Sequence, residues 1–318
     1  MRAMVITFVL LATTAPWTNA TASCTEVTIN APFSELDSRY EYPRELLELV
    51  MAATAVTDGD CTVKTSPVVM LRERSLHELI HGSIIQVMAE ATQSSWEEQL
   101  LTVRIPIRKG LQGYRLMMIR NSDQQRIAAL NIDQLKQLPS GGGHDWTTTP
   151  LMRQAGFNMV AGSDYSSLFR MLDRSRIDTF ARGVNEVFHE QQAFNKVYPG
   201  LTVDRHWLIY IPLPTYFFVT PRRPDLAERI DRGLRLLISD GRFDQLFMRY
   251  FGEDIRRAGL SQRQLIRIDN PNLSSLTPLD DSRLWLIPED LINRPVPSTA
   301  NSGRVTPAAG LSGESNHP

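Results

Sequence analysis

The alternation of apolar and polar positions along the chain predicts strands and helices in turn. The segments "TEVTINAP" (25–32) and "LLTVRIPI" (100–107) are short and rich in β-branched residues, as is typical of strands. After the first of these, Pro43 suits a first helical turn, and apolar residues then repeat at helical spacing at Leu46, Leu47, Val50 and Ala53. Strands that alternate with helices favour an α/β fold in which helices cover mostly parallel sheets.

A second block of strands and helices begins near Ile132. It contains the glycine-rich segment "GGGHDW" (141–146), which is expected to form a loop, either one that approaches a ligand or a plain connection. A later helix would be capped by Ser163 or Asp164. Extended segments at 110–120 and 207–220 bracket this block, so the pattern suits two lobes that are joined by two crossing strands.

Two amphipathic helices, over 225–240 and 242–251, are predicted to close the ordered part of the chain. Residues 293–318 are rich in Pro, Ser, Gly and Asn and show no periodicity, which predicts a disordered tail. The intervening residues 253–292 form a C-terminal extension whose role the pattern does not indicate.

The N-terminus has the pattern of a secretory signal peptide. Arg2 precedes an apolar run over 3–12, and Ala20-Thr21-Ala22 matches an A-x-A cleavage site, so cleavage after Ala22 is expected. A short membrane anchor and a lipid anchor on Cys24 are the alternatives. The apolar run is too short for the first, and Thr21 stands where a lipid-attachment motif has a bulky aliphatic residue. The mature protein is expected in the periplasm.

Composition supports a globular protein without a nucleic-acid interface. The 318 residues carry 34 basic and 35 acidic side chains, and 42% are hydrophobic. A net charge of −1 gives no basic surface for nucleic acid or for an anionic membrane. Cys24 and Cys61 are the two cysteines, and each begins a strand-like run on either side of one helix. Parallel strands in such a unit bring their first residues together, which favours a disulfide in an oxidising compartment, while two separate buried thiols are the alternative.

Several segments, in order, resemble the extracellular solute-binding proteins of family 3, the type II periplasmic receptors of ABC amino-acid importers and their sensor relatives. The segments are "LLTVRIPIRKGLQGYRLMMIR", "GGGHDW", "SDYSSLFRMLDRSRIDTFARGVNE", "PTYFFVTP" and "LAERIDRGLRLLISDGRFDQLF". The resemblance covers about residues 24–252 and implies two α/β lobes, each with a mostly parallel sheet, that close on a small ligand. It places lobe 1 at 23–113 plus 218–252 and lobe 2 at 114–217, after a signal peptide at 1–22.

The same resemblance places the hinge between the lobes near Gly113-Tyr114 and Pro214-Thr215-Tyr216. Two short extended linkers can absorb a closing rotation, and a cleft between two lobes can desolvate a small solute.

The chain departs from the family at both charged ligand contacts. Where amino-acid binders have an arginine that grips the ligand carboxylate, this chain reads Trp96-Glu97-Glu98. Where an acidic residue of lobe 2 receives the ammonium group, it reads Phe180-Ala181-Arg182-Gly183. The departures put an α-amino acid ligand in doubt.

The residues expected to contact a ligand come from both lobes. Glycines let a backbone approach a ligand, Asp145 can cap the following helix, and Arg182 can pair with a carboxylate. Trp96 can stack on a cyclic ligand or pack at the lobe edge, and topology alone places Glu35 and Arg39 after the first strand. The full set is Gly142, Gly143, Asp145, Trp146, Arg182, Trp96, Glu35 and Arg39.

A different function is suggested by His77-Glu78-Leu79-Ile80-His81, which spells the H-E-x-x-H motif of zinc peptidases. Two histidines four residues apart share one helical face, as zinc requires, and Glu78 would activate water. However, Gly82 and Ser83 follow the motif at once, and Ile84 and Val87 replace the Gly and His of the extended signature.

The residues therefore favour a monomeric, non-enzymatic receptor that closes on a small polar solute and presents it to a membrane transporter or sensor. No cofactor, no metal and no nucleic acid are expected in that role. A zinc peptidase and a clamshell without ligand that serves as a protein-interaction module remain the alternatives.

Overall fold

The computed structural model describes residues 25–32, 40–144 and 146–287. The predicted signal peptide and tail lie outside these ranges, as do Cys24, Glu35, Arg39 and Asp145. The strands in the described ranges are β1 Glu26–Ile29, β2 Thr62–Thr65, β3 Val87–Ala91, β4 Leu101–Val103, β5 Tyr114–Arg120, β6 Ser140–Gly143, β7 Met159–Gly162, β8 Thr179–Gly183, β9 Leu201–Val203, β10 Trp207–Tyr210, β11 Thr215–Val219 and β12 Gln264–Arg267.

Helices separate and cover these strands. They are α1 Glu41–Ala53, α2 Ala55–Asp58, α3 Arg72–His81, α4 Ser94–Gln99, α5 Gln124–Ala128, α6 Ile132–Gln137, α7 Thr148–Gln154, α8 Tyr165–Asp173, α9 Val184–Phe194, α10 Pro224–Ser239 and α11 Arg242–Ala258. No helix in the described part of the chain is long and apolar enough to cross a membrane.

The strands form two mixed sheets. Sheet 1 has the order β2-β1-β3-β11-β4, and sheet 2 has the order β12-β10-β5-β8-β6-β7, with β9 also paired to β5. In sheet 1, β1 is parallel to β2 and β3, whereas β11 is antiparallel to β3 and β4. In sheet 2, β6 is parallel to β7 and β8, whereas β5 runs antiparallel to β8, β9 and β10. The α/β class is as expected, but the sheets are mixed and not mostly parallel. The antiparallel pairs all involve β5 or β11, the strands that the chain enters when it passes between the sheets.

Helix boundaries follow local chemistry. The predicted helix at Pro43 is α1, whose buried face includes Leu46, Leu47 and Val50. Of the two candidate caps for α8, Asp164 is the residue that accepts the hydrogen bond from the Ser167 amide, in a reciprocal capping box.

Two segments, residues 104–113 and 211–214, carry the chain between the sheets, and they lie side by side. The Ile211 amide donates to the Gly113 carbonyl at 3.0 Å. A Cβ atom on Gly113 would stand 2.1 Å from the Ile211 carbonyl oxygen, so only glycine permits this approach. The hinge assignment of Gly113, Tyr114, Pro214 and Tyr216 stays a prediction, as do the sequence-based lobe boundaries.

The C-terminal extension packs against the rest of the protein. After α11 the chain returns to sheet 2, where β12 pairs in parallel with β10 from Trp207↔Gln264 to Tyr210↔Arg267. Trp285 is 7% exposed and belongs to the main hydrophobic core. The extension therefore completes one sheet and reaches the core.

Candidate functional site

The glycine run that was expected to form a ligand loop is part of strand β6, and all four residues of that strand are buried. A Cβ on Gly142 would stand 2.6 Å from the Thr149 hydroxyl oxygen, and one on Gly143 would stand 2.5 Å from the Trp146 indole nitrogen. The glycines thus let neighbouring side chains of the same segment fold back onto the strand. Their role in approaching a ligand stays a prediction.

Trp146 lies against Gly143 of β6, and its ring covers Arg182 of the neighbouring strand β8. The Arg182 guanidinium carbon lies 4.4 Å from the centre of the Trp146 ring, and the rings of Tyr165 and Phe180 lie 5.6 and 5.7 Å away. Arg182 is only 5% exposed, which is rare for an arginine unless it is paired. Three aromatic rings therefore surround one buried cation.

Two carboxylates from helix α9 compensate the Arg182 charge. Nε of Arg182 donates to one oxygen of Glu190 at 2.7 Å, and Nη2 donates to the other oxygen of the same carboxylate. Nη2 also lies 3.2 Å from a carboxylate oxygen of Glu186. Burial would lower the pKa of Arg182, but Glu186 and Glu190 outweigh it and raise the pKa above its ordinary value.

A second buried arginine, Arg115, lies on β5 next to this cluster, because Arg115 and Leu116 pair with Gly183 and Arg182 across the sheet. Its guanidinium donates to backbone carbonyls of Gln112 (3.2 Å) and Ala181 (2.8 Å), while its buried Nε atom has no hydrogen-bond partner in the described residues. Burial lowers the pKa of Arg115 to about 10, and the Glu186 charge only partly opposes this.

Arg115 links this cluster to the crossing segments. Gln112, just before β5, accepts a hydrogen bond from Arg115 through its carbonyl and one from the Thr215 hydroxyl (3.0 Å) through its side chain. Thr215 begins β11, the strand of sheet 1 that the second crossing segment enters. The site therefore lies on the central strands β5 and β8 of sheet 2, next to the connection to sheet 1.

Trp96 lies on helix α4, which packs against sheet 1. This residue is 1% exposed and packs edge-on against Phe218 at 5.4 Å between ring centres. Arg72 lies over its other face at 5.1 Å, and Glu97 pairs with Arg104 and accepts a hydrogen bond from Thr92. This is the packing placement that was the alternative for Trp96, and its proposed ligand contact stays a prediction.

The H-E-x-x-H segment forms helix α3, with His77 and His81 both exposed and their rings 4.4 Å apart. Nδ1 of His81 bonds to the His77 carbonyl, and the Glu78 carboxylate accepts a hydrogen bond from Ser83 at 2.9 Å. Within the described ranges, no group of three or more His, Cys, Asp or Glu residues is placed to hold a metal ion. Cys61 packs partly buried against the core, and its proposed partner Cys24 lies outside the described ranges.

Sequence reasoning missed Arg115, Glu186 and Glu190. Two signals were present: Arg115 interrupts the apolar run "YRLMMIR", and Glu186 and Glu190 follow Arg182 at intervals of four residues on an amphipathic helix. A charged residue inside a buried strand requires partners, so this run indicated that polar groups lie close to Arg115.

Comparisons with known proteins identify the fold. No protein-family model matches this sequence, and no curated protein matches it. Solved structures do match. The probable amino-acid ABC transporter extracellular-binding protein YtmK of Bacillus subtilis is 15% identical, with a TM-score of 0.54, and the match covers 73% of this chain and 99% of that one.

Two further structures show the same likeness. An ancestral arginine-binding protein bound to arginine is 14% identical, with a TM-score of 0.51, over 72% of this chain and 99% of that chain. A histidine kinase sensor domain with similarity to periplasmic binding proteins is 12% identical, with a TM-score of 0.52, over 72% and 97%. At these identities the matches establish the fold alone, which is the two-lobed α/β fold of type II periplasmic binding proteins. The fold class predicted from the sequence is confirmed.

Proposed function

We propose that this protein is a periplasmic receptor that closes on a small polar solute and presents it to a membrane transporter or to a membrane sensor. The observation that carries the proposal is the set of buried and partly buried charged groups on β5, β8 and α9, in contact with the connection to sheet 1. Arg182, Glu186 and Glu190 form a compensated cluster there, and Arg115 lies beside them. Proteins of similar fold include extracellular binding proteins and a sensor domain.

The chemistry of this set suits a polar ligand that accepts hydrogen bonds. A buried donor without a partner costs about 1–3 kcal/mol, and Arg115 has such a donor at Nε. An oxygen atom of a solute would satisfy it in a site from which water is largely excluded. Trp146 is only half-buried, so the ring that covers Arg182 also offers a face to a bound molecule.

Closure of the two lobes would let a membrane partner detect that the solute is bound. A solute that contacts both lobes favours the closed state by its differential affinity, and only that state needs to be recognised by a membrane partner. In this role the two lobes would act as the recognition surface, and the protein itself would perform no chemistry.

A thermal-shift screen of amino acids, other small polar solutes and zinc tests the proposal, because a ligand that binds only the folded state must raise its melting temperature. We expect one class of solute to raise Tm of the wild type and of Arg153→Ala, an exposed arginine on the same lobe. The shift is expected to be lost in Arg115→Met and reduced in Trp146→Ala and Asp145→Ala. Circular dichroism at the starting temperature checks that each variant is folded.

Two outcomes would contradict the proposal. The absence of any solute-dependent shift would leave the clamshell as an interaction module. Stoichiometric zinc, together with peptide cleavage that is lost in Glu78→Gln, would establish the peptidase instead.

Export is tested separately. Mass spectrometry of the protein from the periplasm is expected to give a mature chain that begins at Ser23 and a disulfide-linked peptide that contains Cys24 and Cys61. A chain that retains residues 1–22 in the cytoplasm would contradict the periplasmic assignment.

A further inference from the structure

The last described part of the chain, residues 264–286, follows a path that touches both sheets and both crossing segments. It begins as β12, which is hydrogen-bonded along its length to β10 at the edge of sheet 2. The Ile268 amide extends this pairing by donating to the Tyr210 carbonyl at 2.9 Å. One end of the segment is thus fixed to sheet 2.

The middle of the segment reaches the second crossing segment and then the helices of sheet 1. The Asn270 side-chain amide donates to the Pro212 carbonyl at 2.9 Å, and the Ser94 hydroxyl of α4 donates to the Asn272 carbonyl at 3.3 Å. Farther along, Thr277 lies beside Tyr216 of β11. Burial raises the pKa of Tyr216 to about 12, and the neighbouring Thr277 hydroxyl opposes this rise.

The end of the segment closes over the first crossing segment. The Leu286 amide donates to the Lys109 carbonyl at 2.7 Å, and the Tyr114 hydroxyl donates to the Leu286 carbonyl at 2.8 Å. Trp285 packs on Gly110, where a Cβ atom would stand 2.5 Å from the indole ring and where φ is +67°. Both features require glycine at this contact.

Hydrogen bonds within the segment also fix its conformation. The Trp285 indole nitrogen donates to the Pro278 carbonyl at 2.7 Å, and the Asp281 side chain accepts from the Arg283 amide at the start of a short 3₁₀ turn. Leu284 and Trp285 are each 7% exposed. A segment held in this way can transmit a restraint from one anchor to the next.

From these contacts we infer that residues 264–286 form a strap that sets the angle between the two lobes. A rotation about the crossing segments changes the relative position of β10, α4 and the Lys109–Gly110 turn, all of which the strap holds at once. The strap must therefore loosen at one anchor before the lobes can rotate freely. This inference goes beyond the proposed function, since it concerns the protein without any solute.

The test compares two substitutions in the full-length protein without ligand. Trp285→Ala removes the contact with Gly110, whereas Leu276→Ala, in the same segment, changes a side chain that is 64% exposed. Ketone-bearing residues placed at exposed positions 73 and 153 allow spin labels to be attached without using cysteine. Electron–electron distance measurements then report the separation of the lobes, and hydrogen exchange reports the Gly113 and Ile211 amides.

We expect Trp285→Ala to broaden the distance distribution and to speed exchange at Ile211 by about tenfold or more, while Leu276→Ala behaves like the wild type. Unchanged exchange at strand amides of Met118 and Phe218 would show that both sheets remain intact. An intact Trp285→Ala protein with the wild-type distribution would overturn the inference. If that variant does not fold, the pair Tyr114→Phe and Asn270→Ala, which removes two strap hydrogen bonds, is measured against the same two criteria.

Discussion

Next to each sheet, an arginine stacks on a tryptophan and lies close to a glutamate. The two arrangements are inverted, because the tryptophan is the buried member of one pair and the arginine is the buried member of the other. On sheet 1, Trp96 is buried, and Arg72 covers it with a side chain that is 30% exposed and lies 3.5 Å from Glu90. On sheet 2, Arg182 is the buried member, and Trp146 forms the half-buried cover.

The difference follows from how the charge is compensated. Arg182 has two carboxylates within 3.2 Å, and hydrogen bonds fix its orientation. Arg72 has one distant carboxylate, and its Nε and Nη2 atoms make no hydrogen bond in the described residues. Two close carboxylates offset the cost of burying the Arg182 charge, whereas Arg72, with one carboxylate at 3.5 Å, keeps a partly exposed side chain.

The largest effect is expected from the buried tryptophan. Trp96→Ala should lower the free energy of unfolding by about 3–5 kcal/mol, because it leaves a cavity between Phe218 and α4. Trp146→Ala should cost less, about 1–2 kcal/mol, because its ring is only half-buried. Urea unfolding of both variants measures the difference, and equal losses would show that the two tryptophans are not in inverted positions.

A smaller effect is expected from the buried arginine. Arg182→Ala should cost about 3 kcal/mol, because the buried Glu186 and the partly buried Glu190 both lose the guanidinium that they contact. Arg72→Ala, the matched change next to sheet 1, should cost at most about 1 kcal/mol, since its ion pair is long and both side chains are partly exposed. A loss for Arg72→Ala that matched the loss for Arg182→Ala would contradict the account of charge compensation.

The smallest effect concerns His189 on helix α9, the helix that supplies both glutamates. His189 on this helix lies 3.2 Å from Asp254 of α11, and that hydrogen bond raises the pKa of His189 although burial opposes it. A raised folded-state pKa means that the stabilisation is complete below the unfolded value near 6.5 and is lost as pH rises through the higher folded value.

His189→Gln should therefore remove a small pH dependence of stability between these two values. The expected size is below about 1 kcal/mol, because the His189 side chain is 65% exposed. Urea midpoints at several pH values check it, with His206→Gln as the control, since that histidine bonds to the neutral side chain of Gln264. A pH dependence that survived in His189→Gln would place its origin elsewhere.

Most of the elements could be predicted from the sequence because local signals determine them. The α8 cap at Asp164 and the apolar faces of α1 and α10 depend on residues that are close in the chain. The glycine run at 141–143 was expected as a loop, since glycine is depleted in strands, but contacts with Thr149 and Trp146 require it in β6. Such contacts depend on the tertiary fold.

The candidate site was only partly predictable for the same reason. Arg182 was recognised from its position in the segment 180–183, whereas Arg115 reaches the same site through antiparallel pairing of β5 with β8. The pairing of β12 was not predicted for the same reason. It joins residues of β10 and β12 that are 57 positions apart, and nothing in the local pattern of 264–267 indicates the partner.

The pairing of β12 also determines when sheet 2 can be completed during synthesis of the chain. A chain emerges from the ribosome from its N-terminus, and domains fold as units once their parts are available. Sheet 2 receives its edge strand only from residues 264–267, and sheet 1 needs β11 at Thr215–Val219 before β3 and β4 are joined. Sheet 1 therefore cannot reach its final hydrogen bonding before residue 219 has been synthesised, and sheet 2 lacks one edge strand until residue 267 has been synthesised.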